Sequence, residues 1–291
     1  MNFGIRQKSL PLPDERLFIT ARNIGFDGVE LNTNQDYRID RLWRPGEAER
    51  IRDLAENTGI EVHAISLSAI RDYNFISSDA EKRRVGQCLI EHLLTVGSTL
   101  GISNLVLPLL SITHSDVTSG ILARGIGEAA QSADEHGIAL ALEMFLDTND
   151  ALALLQEIAS ERARICFDVG LVTVCGDDVY DTMNRLRKVI AQIHIKDSVR
   201  LPGIPNTRVD FLTLQKMRSK MIPLRGQGED GGTKWTTQLG EGSVDFVAVK
   251  RALRDINYDG YLILETPPGD DPVGNASRNL GFLRDLVMPN P

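Results

Sequence analysis

Short apolar runs of strand character alternate along the chain with longer amphipathic stretches, and eight such pairs can be counted. The strand runs are NFGI (2–5), GVELN (28–32), EVHAISL (61–67), NLVLPLL (104–110), ALALEMF (139–145), ARICFDV (163–169), AQIHIKD (191–197) and YLILETP (261–267). Helices are expected between and after them at about 14–24, 46–58, 79–100, 116–137, 150–161, 178–190, 243–256 and 273–287. Pro45 ahead of GEAERIRDLAENTG and Ser78 or Asp79 ahead of AEKRRVGQ are helix start signals. Gly25-Phe26, Gly59-Ile60, Gly101-Ile102 and Gly137-Ile138 mark helix ends that lead into the next strand. Strands this apolar must be covered on both faces, so eight βα units predict an α/β fold whose parallel sheet closes into a (β/α)8 TIM barrel. An open doubly wound sheet is the alternative, although no GxGxxG follows the first strand and no GxxxxGK[ST] occurs. The 291 residues are read as a single domain. One connection breaks the rhythm: residues 198–242, rich in Gly and Pro, follow the seventh strand, where a long loop is expected to act as a lid, with Gly226, Gly228, Gly231 and Gly232 letting it move.

Against this pattern four residues stand out. Glu143, Asp168, His194 and Glu265 each sit near the end of a different apolar run. A carboxylate placed there is costly unless it is paired or bound to a cation. In a barrel the C-terminal ends of the strands converge on one mouth, so strands five to eight would bring all four to a single cation. The alternative, four unrelated polar residues each satisfied by loop amides or an arginine, requires four coincidences of one kind. Three carboxylates and an imidazole suit one divalent ion, Mn²⁺, Mg²⁺, Co²⁺ or Zn²⁺, over thiolate-selecting metals.

Composition narrows the partners. The chain is 42% hydrophobic and 25% charged, with a formal charge of −8 and no basic stripe, which argues against nucleic acid. No apolar segment reaches the length needed to span a bilayer and the N-terminus lacks a signal-peptide core, so a cytoplasmic location and no membrane partner are expected. Cys88, Cys166 and Cys175 show no CxxC spacing and read as reduced, buried thiols without chemistry.

The segments GFDGVELN (25–32), the Glu143 strand, FDVG with Asp168, IHIKD (193–197), LGEGSVDF (239–246) and YDGYLILET (258–266) resemble the sugar-phosphate isomerase/epimerase superfamily, the xylose isomerase-like TIM barrels, over nearly the whole chain. ISLSAIRDYNFISSDAEKRR (65–84), DVG and GEGSVDF are most similar to the L-ribulose-5-phosphate and L-xylulose-5-phosphate 3-epimerases. The resemblance implies a divalent metal, Mn²⁺ the first choice, held by Glu143, Asp168, His194 and Glu265. It also implies a ketose substrate whose α-proton is moved through a cis-enediolate by Glu143 and Glu265.

Further substrate contacts are assigned to Arg200, six residues after His194, and to Lys196, which shares His194's strand parity. His63 is expected to point into the barrel near the sugar, and Arg71 is the one arginine matching a basic cluster of the phosphopentulose epimerases. Asp197 is expected to orient Lys196 or His194. Leu171 stands where many ketose 3-epimerases carry a histidine, and Ile70 and Asp72 depart from the basic cluster, so the substrate is a sugar, a sugar phosphate or a keto acid. An inosose-type dehydratase and a hydroxypyruvate-type isomerase on the same site are alternatives, as is, with less support, a non-catalytic carbohydrate-binding or partner barrel. An endonuclease-IV-like phosphodiesterase would need more histidines than the five present. Relatives are commonly dimers or tetramers, so a homo-oligomer is expected.

Overall fold

The computed structural model describes residues 1–200, 208–210, 213–214, 216 and 236–287. Each of the eight apolar runs forms a strand: β1 (Asn2–Arg6), β2 (Gly28–Asn32), β3 (Glu61–Ser66), β4 (Asn104–Leu109), β5 (Ala139–Met144), β6 (Ala163–Asp168), β7 (Ile190–Ile195) and the last barrel strand, β10 (Tyr261–Leu264). They close in the order β1-β10-β7-β6-β5-β4-β3-β2, with every neighbouring pair parallel. Two short strands outside the barrel, β8 (Asp197–Ser198) and β9 (Thr236–Thr237), pair antiparallel at its rim.

Helices shield the outer face of the sheet. In Ile121–His136 the buried positions Leu122, Ala123, Ile126, Ala129, Ala130 and Ala133 recur at the three-to-four spacing that lays one face on a sheet. Gly25, Gly59, Gly101 and Gly137 end their helices with φ between 66° and 107°, the left-handed region a side chain disfavours. The expected helix at 116–137 is two: His114–Thr118 and Ile121–His136 are separated by Gly120 at φ 70°. A helix not foreseen, Val169–Cys175, starts where the sixth strand run ends, because Asp168 caps it by accepting the Leu171 N–H.

The interior of the barrel is small and apolar in one layer and charged in the next. Ala64, Val106, Ala141 and Cys166 pack together in its lower half. Toward the C-terminal mouth the inward positions become Arg6, Glu30, Ser66, Glu143, Asp168 and His194, all at most 4% exposed. Cys175 is also buried, whereas Cys88, read from sequence as buried, is exposed on helix Ala80–Leu100. The lid expected in 198–242, with its four glycines at 226, 228, 231 and 232, lies largely outside the described residues. Among the described residues no helix is long and apolar enough to cross a membrane.

Candidate metal centre

Four adjacent strands supply the site. Glu143 is the fifth residue of β5, Asp168 ends β6, His194 is the fifth residue of β7, and Glu265 directly follows β10, its N–H donating to the Ile195 carbonyl at 2.9 Å. Asp168 and His194 are in register across β6 and β7. One ligand atom from each of the four residues falls within 4.8 Å of all the others.

Glu265 and His194 are each held at one end, with the other end toward the cluster. The Glu265 Oε1 atom is 2.6 Å from Arg6 Nη1 and 3.1 Å from Lys196 Nζ, while its Oε2 has no hydrogen-bond partner. His194 Nε2 is 2.9 Å from Glu30 Oε2, while Nδ1 has none and lies 3.1 Å from Glu265 Oε2 and 3.7 Å from Glu143 Oε1. Glu143 Oε2 is likewise buried without a partner. Asp168 accepts the Leu171 N–H on Oδ1 and Lys196 Nζ on Oδ2, at 2.9 and 3.0 Å. Buried acceptors are ordinarily satisfied, so an unpartnered Glu143 Oε2 beside a closely approaching His194 Nδ1 and Glu265 Oε2 fits a cation-binding site. Oxygen and imidazole donors of this kind suit a hard or borderline divalent ion.

Charge leads to the same place. Glu30, Glu143, Asp168 and Glu265 crowd four carboxylates around Arg6 and Lys196, with Lys8 close enough to interact with Glu265 and Glu143, an acidic surplus among the described residues that a divalent ion would offset. Burial raises the Asp168 carboxyl above its usual range despite Lys196, with Glu265 and Glu143 adding to the rise. Burial would lower the imidazole of His194, but the carboxylates of Glu30 and Glu143 around it raise it well above an ordinary histidine. Burial also opposes ionisation of Glu143 and Glu265; His194 nevertheless holds Glu143 down at about 2, and Arg6 and Lys196 hold Glu265 well below the usual carboxylate range. Burial pushes the Cys166 thiol up to about 12, which leaves no thiolate for the site.

The other expected contacts divide. Lys196 joins the quartet, on the side its parity predicts. Arg200 lies on the same rim, its N–H donating to Ser243 Oγ at 3.1 Å. Arg71 is exposed at the end of the 3-10 turn Ser68–Arg71 that follows β3. His63 is not brought to the quartet: it stacks on Tyr261, the first residue of β10, at 3.9 Å between ring centroids and lies 3.0 Å from Asn104 Nδ2. Asp197 orients neither Lys196 nor His194. Its carboxylate accepts the backbone N–H groups of Ser198, Gly240, Gly242 and Val244 and so anchors the 240–244 turn.

Two participants were absent from the sequence reading. Glu30 and Arg6 are inward-facing charges at 0% and 4% exposure, joined at 3.0 Å. The same cost of burying a carboxylate in an apolar run that singled out the quartet applies to Glu30 in GVELN, and was the available signal.

Residues 18–286 match the xylose isomerase-like TIM barrel family. Among curated proteins, the chain is 27% identical over 285 residues to the putative L-ribulose-5-phosphate 3-epimerase SgbU of Escherichia coli (strain K12), covering 93% of this chain and 91% of that protein. Among solved structures it superposes on D-psicose 3-epimerase with D-tagatose from Clostridium cellulolyticum H10 with a TM-score of 0.75 at 14% identity, over 99% of this chain and 100% of that one. The IOLI protein solved with a zinc atom superposes with a TM-score of 0.70 at 16% identity, over 99% of this chain and 98% of the other.

Proposed function

The chain belongs to the xylose isomerase-like TIM barrel family, and on that premise we propose that it is a divalent-metal-dependent epimerase or isomerase of a ketose or ketose phosphate. The observation that carries this reading is the convergence of one ligand atom each from Glu143, Asp168, His194 and Glu265 within 4.8 Å, in a cluster with more carboxylates than fixed cations. Glu143, Asp168, His194 and Glu265 would hold one ion, Mn²⁺ the first choice, with Zn²⁺, Mg²⁺ and Co²⁺ open; zinc is the metal of one structural relative. The ion supplies positive charge that acidifies the C–H bond beside a ketose carbonyl.

The protein's own groups carry the proton. Glu143 and Glu265 are held in their ionised forms, so one can remove the α-proton and the other, once protonated, return one to the opposite face. Lys196, within 3.1 Å of Asp168 and Glu265, is placed to donate to a substrate oxygen and to stabilise negative charge that develops there. Arg200 and Arg71 on the rim are assigned to the outer part of the sugar or its phosphate. A small, soluble sugar substrate fits a cytoplasmic protein, and its likeness to a sugar-phosphate epimerase supports both.

Deuterium wash-in from D₂O into pentuloses, hexuloses and their phosphates, with Mn²⁺ and then with EDTA, tests the reading. Metal-dependent exchange at C3 with inversion identifies a 3-epimerase, exchange at C1 an aldose-ketose isomerase, and loss of water a dehydratase. Absence of exchange from protein that holds its ion would overturn the proposal.

A further inference from the structure

We infer that Glu30 is a positioning residue for the metal centre: it fixes which nitrogen of His194 faces the ion and, through Arg6, holds Glu265 in the same frame. The inference rests on the metal-centre reading above and deepens it by assigning a role to a fourth carboxylate that is not itself a ligand.

Glu30 lies in β2, where all five residues are buried, and it has 0% exposure. A carboxylate enclosed in this way persists only when its oxygens are engaged. Its Oε2 is 2.9 Å from His194 Nε2 and accepts from Gln192 Nε2 at 2.6 Å. Gln192 Nε2 also lies 3.0 Å from His194 Nε2, but it donates to Glu30 Oε2 at the shorter distance, and the carboxylate acceptor places the proton of a neutral imidazole on Nε2 and the lone pair on Nδ1. Nδ1 is the atom that lacks a partner and faces Glu143 and Glu265.

The second oxygen serves a second ligand. Glu30 Oε1 is 3.0 Å from Arg6 Nε, and Arg6 Nη1 is 2.6 Å from Glu265 Oε1. Arg6 thus fastens one oxygen of Glu265 and leaves Oε2 toward the centre. Behind Glu30 the support continues: Asn104 Nδ2 donates to Gln192 Oε1 at 3.1 Å, so the amide that donates to Glu30 is itself fixed. Glu30 does not reach the mouth, since the His194 ring lies between it and the quartet's centre. It therefore acts through His194 and Arg6 and does not touch substrate.

A purely structural role would leave the tautomer of His194 and the metal affinity unchanged on replacement, which separates the two accounts. The wild-type protein loaded with Zn²⁺ and labelled with ¹⁵N-histidine should show a slowly exchanging proton on His194 Nε2 and the metal-shifted resonance on Nδ1. Glu30→Gln keeps the size and removes the charge. Titration of metal-free protein with Zn²⁺ or Mn²⁺ by calorimetry should then give binding weaker by about 10- to 100-fold, with an unchanged circular dichroism spectrum. Zinc on Nε2 in the wild type, or equal affinity in a folded E30Q, overturns the inference while the metal centre stands. No uptake of either ion by the wild type removes the metal-centre reading and this inference with it. If E30Q does not fold, the wild-type resonances alone decide.

Discussion

The carboxylate of Asp197 occupies the space that a side chain on Gly242 would need: a Cβ built there collides with Asp197 Oδ1 and crowds the Ser198 nitrogen. The turn at 240–244 can approach only with bare backbone, and it presents three N–H groups, those of Gly240, Gly242 and Val244, to an anion that is 1% exposed. We expect Gly242→Ala to cost about 1–3 kcal/mol through overpacking. Asp197→Ala, which removes the shared acceptor of four backbone donors, one of them buried, should cost a comparable amount. Urea unfolding measures both; wild-type stability in Gly242→Ala would show that the turn is not clamped by Asp197.

Acid should unfold the metal-free protein through Glu143. Its carboxyl is held at about 2 against an ordinary 4.5, so the stability it contributes is present above 4.5 and is lost as pH falls toward 2. Glu265, also held below its usual range, acts in the same direction, while Asp168, raised, acts in the opposite one. Glu30 is lowered as well, so three carboxylates of the cluster oppose one, and we expect the urea midpoint to fall between pH 5 and pH 3. A flat profile over that window would contradict the assignment of ionised Glu143 and Glu265.

The barrel was legible because its signal is repeated: eight apolar runs became eight strands, each within a few residues of its expected bounds. The quartet was legible for the same reason, as a charge at the end of each of four runs. Glu30 was not singled out because it lies inside GVELN, where alternation alone does not say whether one charge faces the barrel or a solvated edge. His63 illustrates the converse. Strand parity says that a side chain points inward but not at which height, and the stacking of His63 on Tyr261 puts it at the end of the barrel where β10 begins. Asp197 was misassigned because three of its four partners lie more than 40 residues away, across a long connection.

Lys196 should oppose the metal it sits beside. Its ammonium lies 3.0 Å from Asp168 and 3.1 Å from Glu265 and is largely buried, so Lys196→Met removes the partner of two carboxylates. In metal-free protein the loss should be roughly 3–5 kcal/mol, the range for breaking a buried pair. With Mn²⁺ or Zn²⁺ present the loss should shrink, because a divalent ion takes over the same carboxylates, and the ion should bind more tightly than to the wild type. Thermal melts of both proteins with and without metal check this. An equal loss in both conditions would mean that Lys196 and the ion do not compete for the site.

Metal uptake should release protons. In the metal-free protein His194 titrates well above an ordinary histidine, so it retains a proton at a position an ion would claim, and Asp168 is raised in the same direction. Ligation needs the ionised carboxylate and a bare Nδ1, so each proton lost on binding makes the apparent affinity rise with pH. Calorimetric titration with Mn²⁺ at neutral pH in two buffers of different ionisation enthalpy measures the number released. We expect unequal heats, tighter binding as pH rises, and a stabilisation of about 2.7 kcal/mol at a hundredfold excess of free ion over Kd. EDTA should reverse that stabilisation. Identical heats in both buffers would mean that the site is already deprotonated when empty, and the four carboxylates would then need compensation beyond Arg6 and Lys196.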